Sequence, residues 1–158
     1  MTGLEKIIKQ ATKEALQDRL KDYNFDEIKN TLLEFPEKIK NQKMIVSRHQ
    51  EIVEDLKQQI EQEKAIMESV IMAEIEAEKD EKGKLIYSNA DKRNRELIIR
   101  FANLATENSE YQELVNRFKE AEKNLQAAQF ELETIENSFK VQKYIVKLIE
   151  SEVKLITG

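Results

Sequence analysis

The sequence has no cysteine, no tryptophan, one proline, three glycines and one histidine in 158 residues. Without cysteine there is no disulfide framework, no thiolate zinc site and no thiol nucleophile. With only four glycines and prolines, the chain lacks the material for the many turns of a sandwich, a barrel or a βαβ fold. One histidine cannot supply the paired Glu-x-x-His motifs of a di-iron bundle. No run approaches the roughly 20 apolar residues of a membrane span. The first residues alternate charge with apolar side chains and form no signal-peptide core, and Thr2 in place of a glycine removes the myristoylation pattern. These features lead to the expectation of a cytoplasmic protein.

What the chain does have is charge and helix formers. Charged residues make up 36% of it and apolar residues 40%, with a net charge of −5. This composition belongs to helical bundles and coiled coils, so the expected fold class is all-α. The overall acidity argues against wholesale coating of nucleic acid but leaves room for a local basic patch.

Periodicity places the elements. Leu4, Ile7, Ile8, Ala11, Ala15, Leu16 and Leu20 recur at helical spacing and predict an amphipathic helix. Asn24, with Glu27 three residues on, reads as the cap of a short second helix carrying Phe25, Ile28, Leu32 and Leu33. Proline is favoured in a first turn and costs about 3 kcal/mol deeper in a helix, so Pro36 is expected to start the next one. From Pro36 to about Lys82, Val46, Val53, Ile60 and Met67 occupy one core position of a heptad, and His49, Leu56 and Val70 the other. Glu63 and Glu74 interrupt that seam, while Ile45, Ile52, Ile66 and Ile71 widen the apolar face. Gly83 fits a helix C′ position, and Ser88 or Asn89 the next cap. The link from Gly83 to Ser88 is too short to supply a β-hairpin of its own.

The last segment carries the strongest pattern: Leu97, Leu104, Tyr111, Phe118, Leu125, Leu132, Phe139, Val146 and Val153 recur every seven residues. From Tyr111 on, the companion position holds Leu114, Ala121, Ala128, Ile135, Gln142, Ile149 and Ile156. Ser109 followed by Gln112 forms a second capping signature, so a break is expected there, with the heptad phase unshifted across it.

Length then constrains architecture. At 1.5 Å per residue, Pro36 to Lys82 spans about 70 Å and Asn89 to Ile156 about 100 Å, so the last helix overhangs by roughly 20 residues. That overhang is apolar on too many faces to stand exposed. The simplest cover is a head formed by residues 1–35 packed on the C-terminal end of an antiparallel hairpin, residues 36–158, whose tip lies near 83–89, the whole making one domain. Self-association through the same surface is the competing cover, and the two can coexist. Leu125, Leu132, Phe139, Val146, Ile149 and Val153 are accordingly the expected core or oligomer seam.

No phosphate-binding loop, nucleophile elbow or His-Glu-x-x-His motif is present. Catalysis by carboxylates alone needs a concave pocket that a slender hairpin does not provide. The chain is therefore expected to be no enzyme and to need no cofactor or metal. His49, Glu63 and Glu74 are read as seam or seam-edge residues rather than ligands.

Charge is distributed unevenly. Glu74, Glu76, Glu78, Asp80 and Glu81 crowd the end of the first long helix, and Lys82, Lys84, Lys92, Arg93, Arg95 and Arg100 follow at the tip and on the returning helix. The two blocks can face each other across the hairpin and fix its register. Alternatively Lys82, Lys84, Lys92, Arg93 and Arg95, with Tyr87 as an aromatic platform, present a basic tip to nucleic acid or an acidic protein surface. Lys140, Lys143, Lys147 and Lys154 form a looser second set, consistent with a solvated face.

The stretch Gly83-Lys84-Leu85-Ile86-Tyr87-Ser88-Asn89, followed by Lys92-Arg93, Glu96-Leu97, Glu110-Tyr111-Gln112-Glu113-Leu114 and Phe139-Lys140, resembles small, uncharacterised helical proteins of bacteriophages and mobile elements. The resemblance covers about the second half of the chain and transfers no binding residue. It implies a context in which two roles recur, a DNA-metabolism or recombination accessory and an inhibitor of a host protein. Together the readings lead to a non-enzymatic scaffold or inhibitor, homo-oligomeric, with a protein partner and no membrane. A DNA-binding accessory acting through the basic tip is the alternative.

Overall fold

The computed structural model describes residues 2–157, with side chains up to Leu155, so the seam position expected at Ile156 lies outside the described side chains. The fold is all-α, with four helices: α1 (Gly3–Lys21), α2 (Phe25–Ala77), α3 (Ala90–Glu107) and α4 (Ser109–Thr157). None of the described residues belongs to a strand. The chain forms two compact units, one of residues 1–45 with 129–158 and one of residues 46–128.

In the unit of residues 1–45 and 129–158, the start of α2 packs antiparallel on the end of α4. The Phe35 ring stacks on Phe139 with centroids 5.2 Å apart. Further along, Tyr23 Oη–H donates to Glu152 at 2.5 Å, and Arg19 Nε pairs with the same carboxylate at 3.2 Å. Thr2 caps α1 in a reciprocal box with Glu5. α1 meets the rest of its unit through its last turns, where Leu16 and Leu20 are half-buried, and none of its residues is buried.

The expected second N-terminal helix is not separate. Asn24 Oδ1 does accept from Glu27 N–H at 3.1 Å, but the helix that begins there runs through Pro36, which is interior to α2 rather than its start. Proline at that position removes one backbone hydrogen bond and crowds the preceding turn, a cost of about 3 kcal/mol. Packing on both sides of it opposes the break: Leu32, Phe35 and Ile39 are all turned inward.

In the unit of residues 46–128, α2 packs antiparallel on α3 and the first half of α4. Arg100 reaches Glu78, Lys64 Nζ lies 5.5 Å from the Phe101 ring centroid, and Asn108 Nδ2 approaches Met67 Sδ at 4.0 Å. The core holds Val46, Leu56, Met67, Ile71 and Ile75 from α2 against Ala105, Ala121 and Ala128. Large side chains on one helix thus face small ones on the others, and small layers let helices approach closely.

The break between α3 and α4 is present, but its cap is Asn108 rather than Ser109. Asn108 ends α3 with an extended backbone, and its Oδ1 accepts from Tyr111 N–H at 3.0 Å. Gln112 does not close a box; its Nε2 donates to Ala105 O at 2.7 Å. The heptad phase also shifts. Downstream of Asn108 the inward positions Tyr111, Leu114, Phe118, Ala121, Leu125, Ala128, Leu132 and Ile135 follow the expected steps of three and four. Upstream they fall at Leu97, Phe101, Ala105 and Asn108, so Leu104 is exposed. α2 does the same at Met67, Ile71 and Ile75, which turns Val70 outward. Two successive steps of four on both partners interrupt the alternation of three and four.

Candidate interaction surfaces

The tip differs from the expected helix stop. α2 ends at Ala77, before Lys79 and Lys82, because the chain then folds back on itself. Ile86 N–H donates to Glu78 O at 3.1 Å and Asp80 N–H to Lys84 O at 2.8 Å, on either side of an antiparallel bridge between Lys79 and Leu85. The segment from Glu78 to Ile86, starting before Gly83, therefore makes a miniature hairpin closure. Gly83 is not a helix C′ residue but the last position of the turn: its N–H donates to Asp80 O at 2.9 Å and its φ is 77°. The Asp80 carboxylate accepts from both Lys82 N–H and Lys84 N–H at 2.9 Å, which fixes the loop without using the lysine ammonium groups.

Arg100 organises the base of this tip. Its Nε donates to Glu96 at 2.7 Å and its Nη2 to Glu78 at 2.6 Å, while the guanidinium lies 5.6 Å from the Tyr87 ring centroid. These two carboxylates hold the guanidinium pKa above its ordinary value, with the Glu78 hydrogen bond the largest cause. Tyr87 is half-buried and its ring sits beside Arg100, so it packs within the tip instead of standing free as a platform. Arg93 donates to Tyr87 O at 3.4 Å. Asn89, of the two cap candidates, is the one used, its side chain accepting from Lys92 N–H at 2.8 Å. Lys82, Lys84, Lys92 and Arg95 are exposed, and among the described residues none of them, nor Arg93, pairs with a carboxylate. Among the described residues the acidic and basic blocks share one ion pair, Glu78 with Arg100, and nothing in the sequence distinguishes Arg100 from its basic neighbours.

The expected seam residues lie inside the chain's own packing. Leu125, Leu132, Phe139, Val146 and Val153 are half-buried and Ile149 is buried. Val146, Ile149 and Val153 form one wall of a groove of about 590 Å³ whose other wall is Phe25, Ile28, Leu32 and Leu33 of α2. Lys29, Lys154 and Glu150 stand at its rim, and its lining is otherwise apolar. Two further apolar stripes in the same unit are exposed. One is Leu4, Ile7 and Ile8 on α1; the other is Val141, Tyr144, Ile145, Leu148 and Leu155 on α4.

A more polar hollow of about 490 Å³ lies along α4 between Glu133 and Gln142, and a smaller one is lined by charged residues. The hollow between Glu63 and Glu110, Glu113 and Arg117 is about 200 Å³, and all four charged side chains are exposed. Glu74 is exposed and His49 half-buried. Among the described residues no group of three acidic, histidine or cysteine side chains is placed to hold a metal ion, and no helix is long and apolar enough to cross a membrane. The fold and these surfaces define an all-α helical protein whose open features are apolar helix faces and a basic tip. No protein-family model matches the sequence, and no curated protein or solved structure matches it either.

Proposed function

We propose that this protein is a non-enzymatic, cytoplasmic interaction protein, a scaffold or inhibitor that self-associates and docks a protein partner through residues 1–45 and 129–158. The observation that carries this reading is the open apolar surface of that unit, a groove of about 590 Å³ together with two uncovered helix stripes. Contiguous apolar surface of this kind is costly to leave in water and marks interaction sites. The groove suits an amphipathic helix, whose anchors at i, i+3, i+4 and i+7 fill such a trough. Affinity capture from the source cells tests it, using the intact protein and a Phe25→Ser/Leu33→Glu variant as baits. A protein retained by the first and lost from the second is the expected result. An identical set on both baits would overturn the docking role of the groove.

A second reading, a nucleic-acid accessory of the kind found among phage and mobile-element proteins, is favoured by one observation: five cations at the tip have no carboxylate partner among the described residues while Arg100 does. Fluorescence anisotropy with labelled single-stranded and duplex DNA at low and near-physiological salt separates the two. Binding that weakens with salt and vanishes on replacing Lys82, Lys84, Lys92, Arg93 and Arg95 by Ala supports the tip as the site. No binding at low salt overturns this second reading.

A further inference from the structure

We propose that a second copy of this chain covers the exposed stripes, the α1 of each protomer lying along the outer face of α4 of the other. The inference rests on the self-association in the reading above and says which surfaces carry it. On α1, Leu4, Ile7, Ile8, Ala11 and Ala15 share one face, and all five are exposed. At 3.6 residues per turn, the half-buried Leu16 and Leu20 point to a different side, while Arg19, which pairs with Glu152 of the chain's own α4, lies at one edge of the stripe. The α1 stripe, exposed along its length, is left uncovered by its own unit. On α4, Val141, Tyr144, Ile145, Leu148 and Leu155 form a face distinct from the Phe139, Val146, Ile149 and Val153 side that packs on α2.

Three properties match these two faces to each other. The first is length. Leu4 to Ala15 extends about 17 Å and Val141 to Leu155 about 21 Å along their helices. The second is charge. Glu14 and Asp18 lie along one edge of the α1 stripe and Arg19 at the other, while Lys6, Lys9 and Lys13 are on the far side; Lys140 and Lys147 lie along one edge of the α4 stripe and Glu152 at the other. Each stripe thus has an acidic and a basic edge, and the acidic edge of α1 can meet the lysine edge of α4. The third is area. Eight large apolar side chains, between 38% and 84% exposed, offer surface on the order of the ~800 Å² per partner of a stable interface.

Symmetry favours a closed pair. Glu152, which anchors the chain's own α1, lies at the edge of the α4 outer stripe, so α1 leaves α4 beside that stripe. Each copy can therefore give one α1 and receive one in a two-fold arrangement, with no face left over to propagate. The groove lies on the other flank of α4, beside Glu150 and Lys154, and stays available to a different partner.

The absence of cysteine makes a direct test simple. Chains carrying Leu4→Cys or Ile8→Cys are mixed with chains carrying Val141→Cys or Leu148→Cys and mildly oxidised, with Lys82→Cys as the control partner. Sedimentation velocity of the unmodified protein is run alongside. The expected result is a dimer whose α1 chains crosslink to the α4 chains and not to Lys82→Cys, with a shift to monomer on Ile8→Glu at unchanged helicity. All these positions are exposed, so the substitutions leave the core intact. A dimer in which no α1–α4 combination crosslinks would overturn this pairing while leaving self-association standing. A monomer at every concentration would overturn both.

Discussion

Residues 46–128 and the unit of residues 1–45 with 129–158 are built from the same two long helices, yet they use their apolar side chains in opposite ways. Among the described residues, eight of the nine buried core residues lie within 46–128, and only Ile149 belongs to the other unit. Of the 21 exposed large apolar residues described, from Leu4 to Leu155, thirteen lie in that other unit. The difference traces to small residues. Ala105, Ala121 and Ala128 let α2 settle closely on its partners, whereas the later α4 seam has no alanine and places Phe139, Val146, Ile149 and Val153 there, and a groove opens. A helix pair with alternating large and small layers closes on itself. One with large layers only keeps apolar surface for something else.

That contrast can be broken most severely at Ile75, the most buried side chain, at 1% exposure. Ile75→Ala is expected to cost about 2–5 kcal/mol in urea unfolding, while Leu33→Ala in the exposed wall of the groove stays within about 0.5 kcal/mol. Equal effects would mean that the two units do not differ in packing. Ala121→Leu should cost about 1–3 kcal/mol by overfilling a small layer. Pro36→Ala tests the opposite direction. It restores a missing backbone hydrogen bond inside α2 and should raise stability by up to about 3 kcal/mol, read as a higher melting temperature.

Two smaller effects sharpen the picture. Gly83→Ala forces an ordinary side chain into a φ of 77° and should cost about 1 kcal/mol, although a Cβ there would meet nothing. The contact of Tyr23 with Glu152 raises the phenol pKa above its ordinary value of 10.0, the hydrogen bond being the main cause. A raised acid favours its protonated form in the folded state, so its contribution is complete below about pH 10 and is lost as pH rises through the folded value. The free energy of unfolding measured in urea should therefore fall across that alkaline range, and Tyr23→Phe should remove this part of the fall while lowering stability at neutral pH.

Much of this was legible in the residues. The helix class, the antiparallel pairing and the heptad from Tyr111 to Val153 follow from spacing alone, because a seam buried along one face repeats every three or four positions. Asn24 as a cap and the break near residue 108 were also visible. What failed did so where local rules compete with packing. Pro36 carries a strong local signal for a helix start, but Phe35 against Phe139 outweighs it. Gly83 reads equally well as a helix end or a turn, and only the pairing of Lys79 with Leu85 decides. Leu104 and Ala105 are both apolar, so the sequence could not say which of them faced inward. Of the candidate surfaces, the basic tip was readable as a charge block. The selection of Arg100 as its one cross-linked member needed the position of Glu78, and the groove needed both walls.

The successive steps of four on either side of the tip have a mechanical consequence. Helices packed on a seven-residue repeat wind about each other to the left, whereas an extra step of four locally unwinds that turn. Between Met67 and Ile75, and again between Leu97 and Ala105, the left-handed winding therefore relaxes, with the Asn108 break following it. Removing one residue at that break would rotate every side chain beyond it by about 100° about the helix axis. The direction in which Lys92, Arg93 and Arg95 point relative to the α4 seam is thus tied to the count of residues between them and Tyr111, much as the thread of a screw sets where its slot comes to rest.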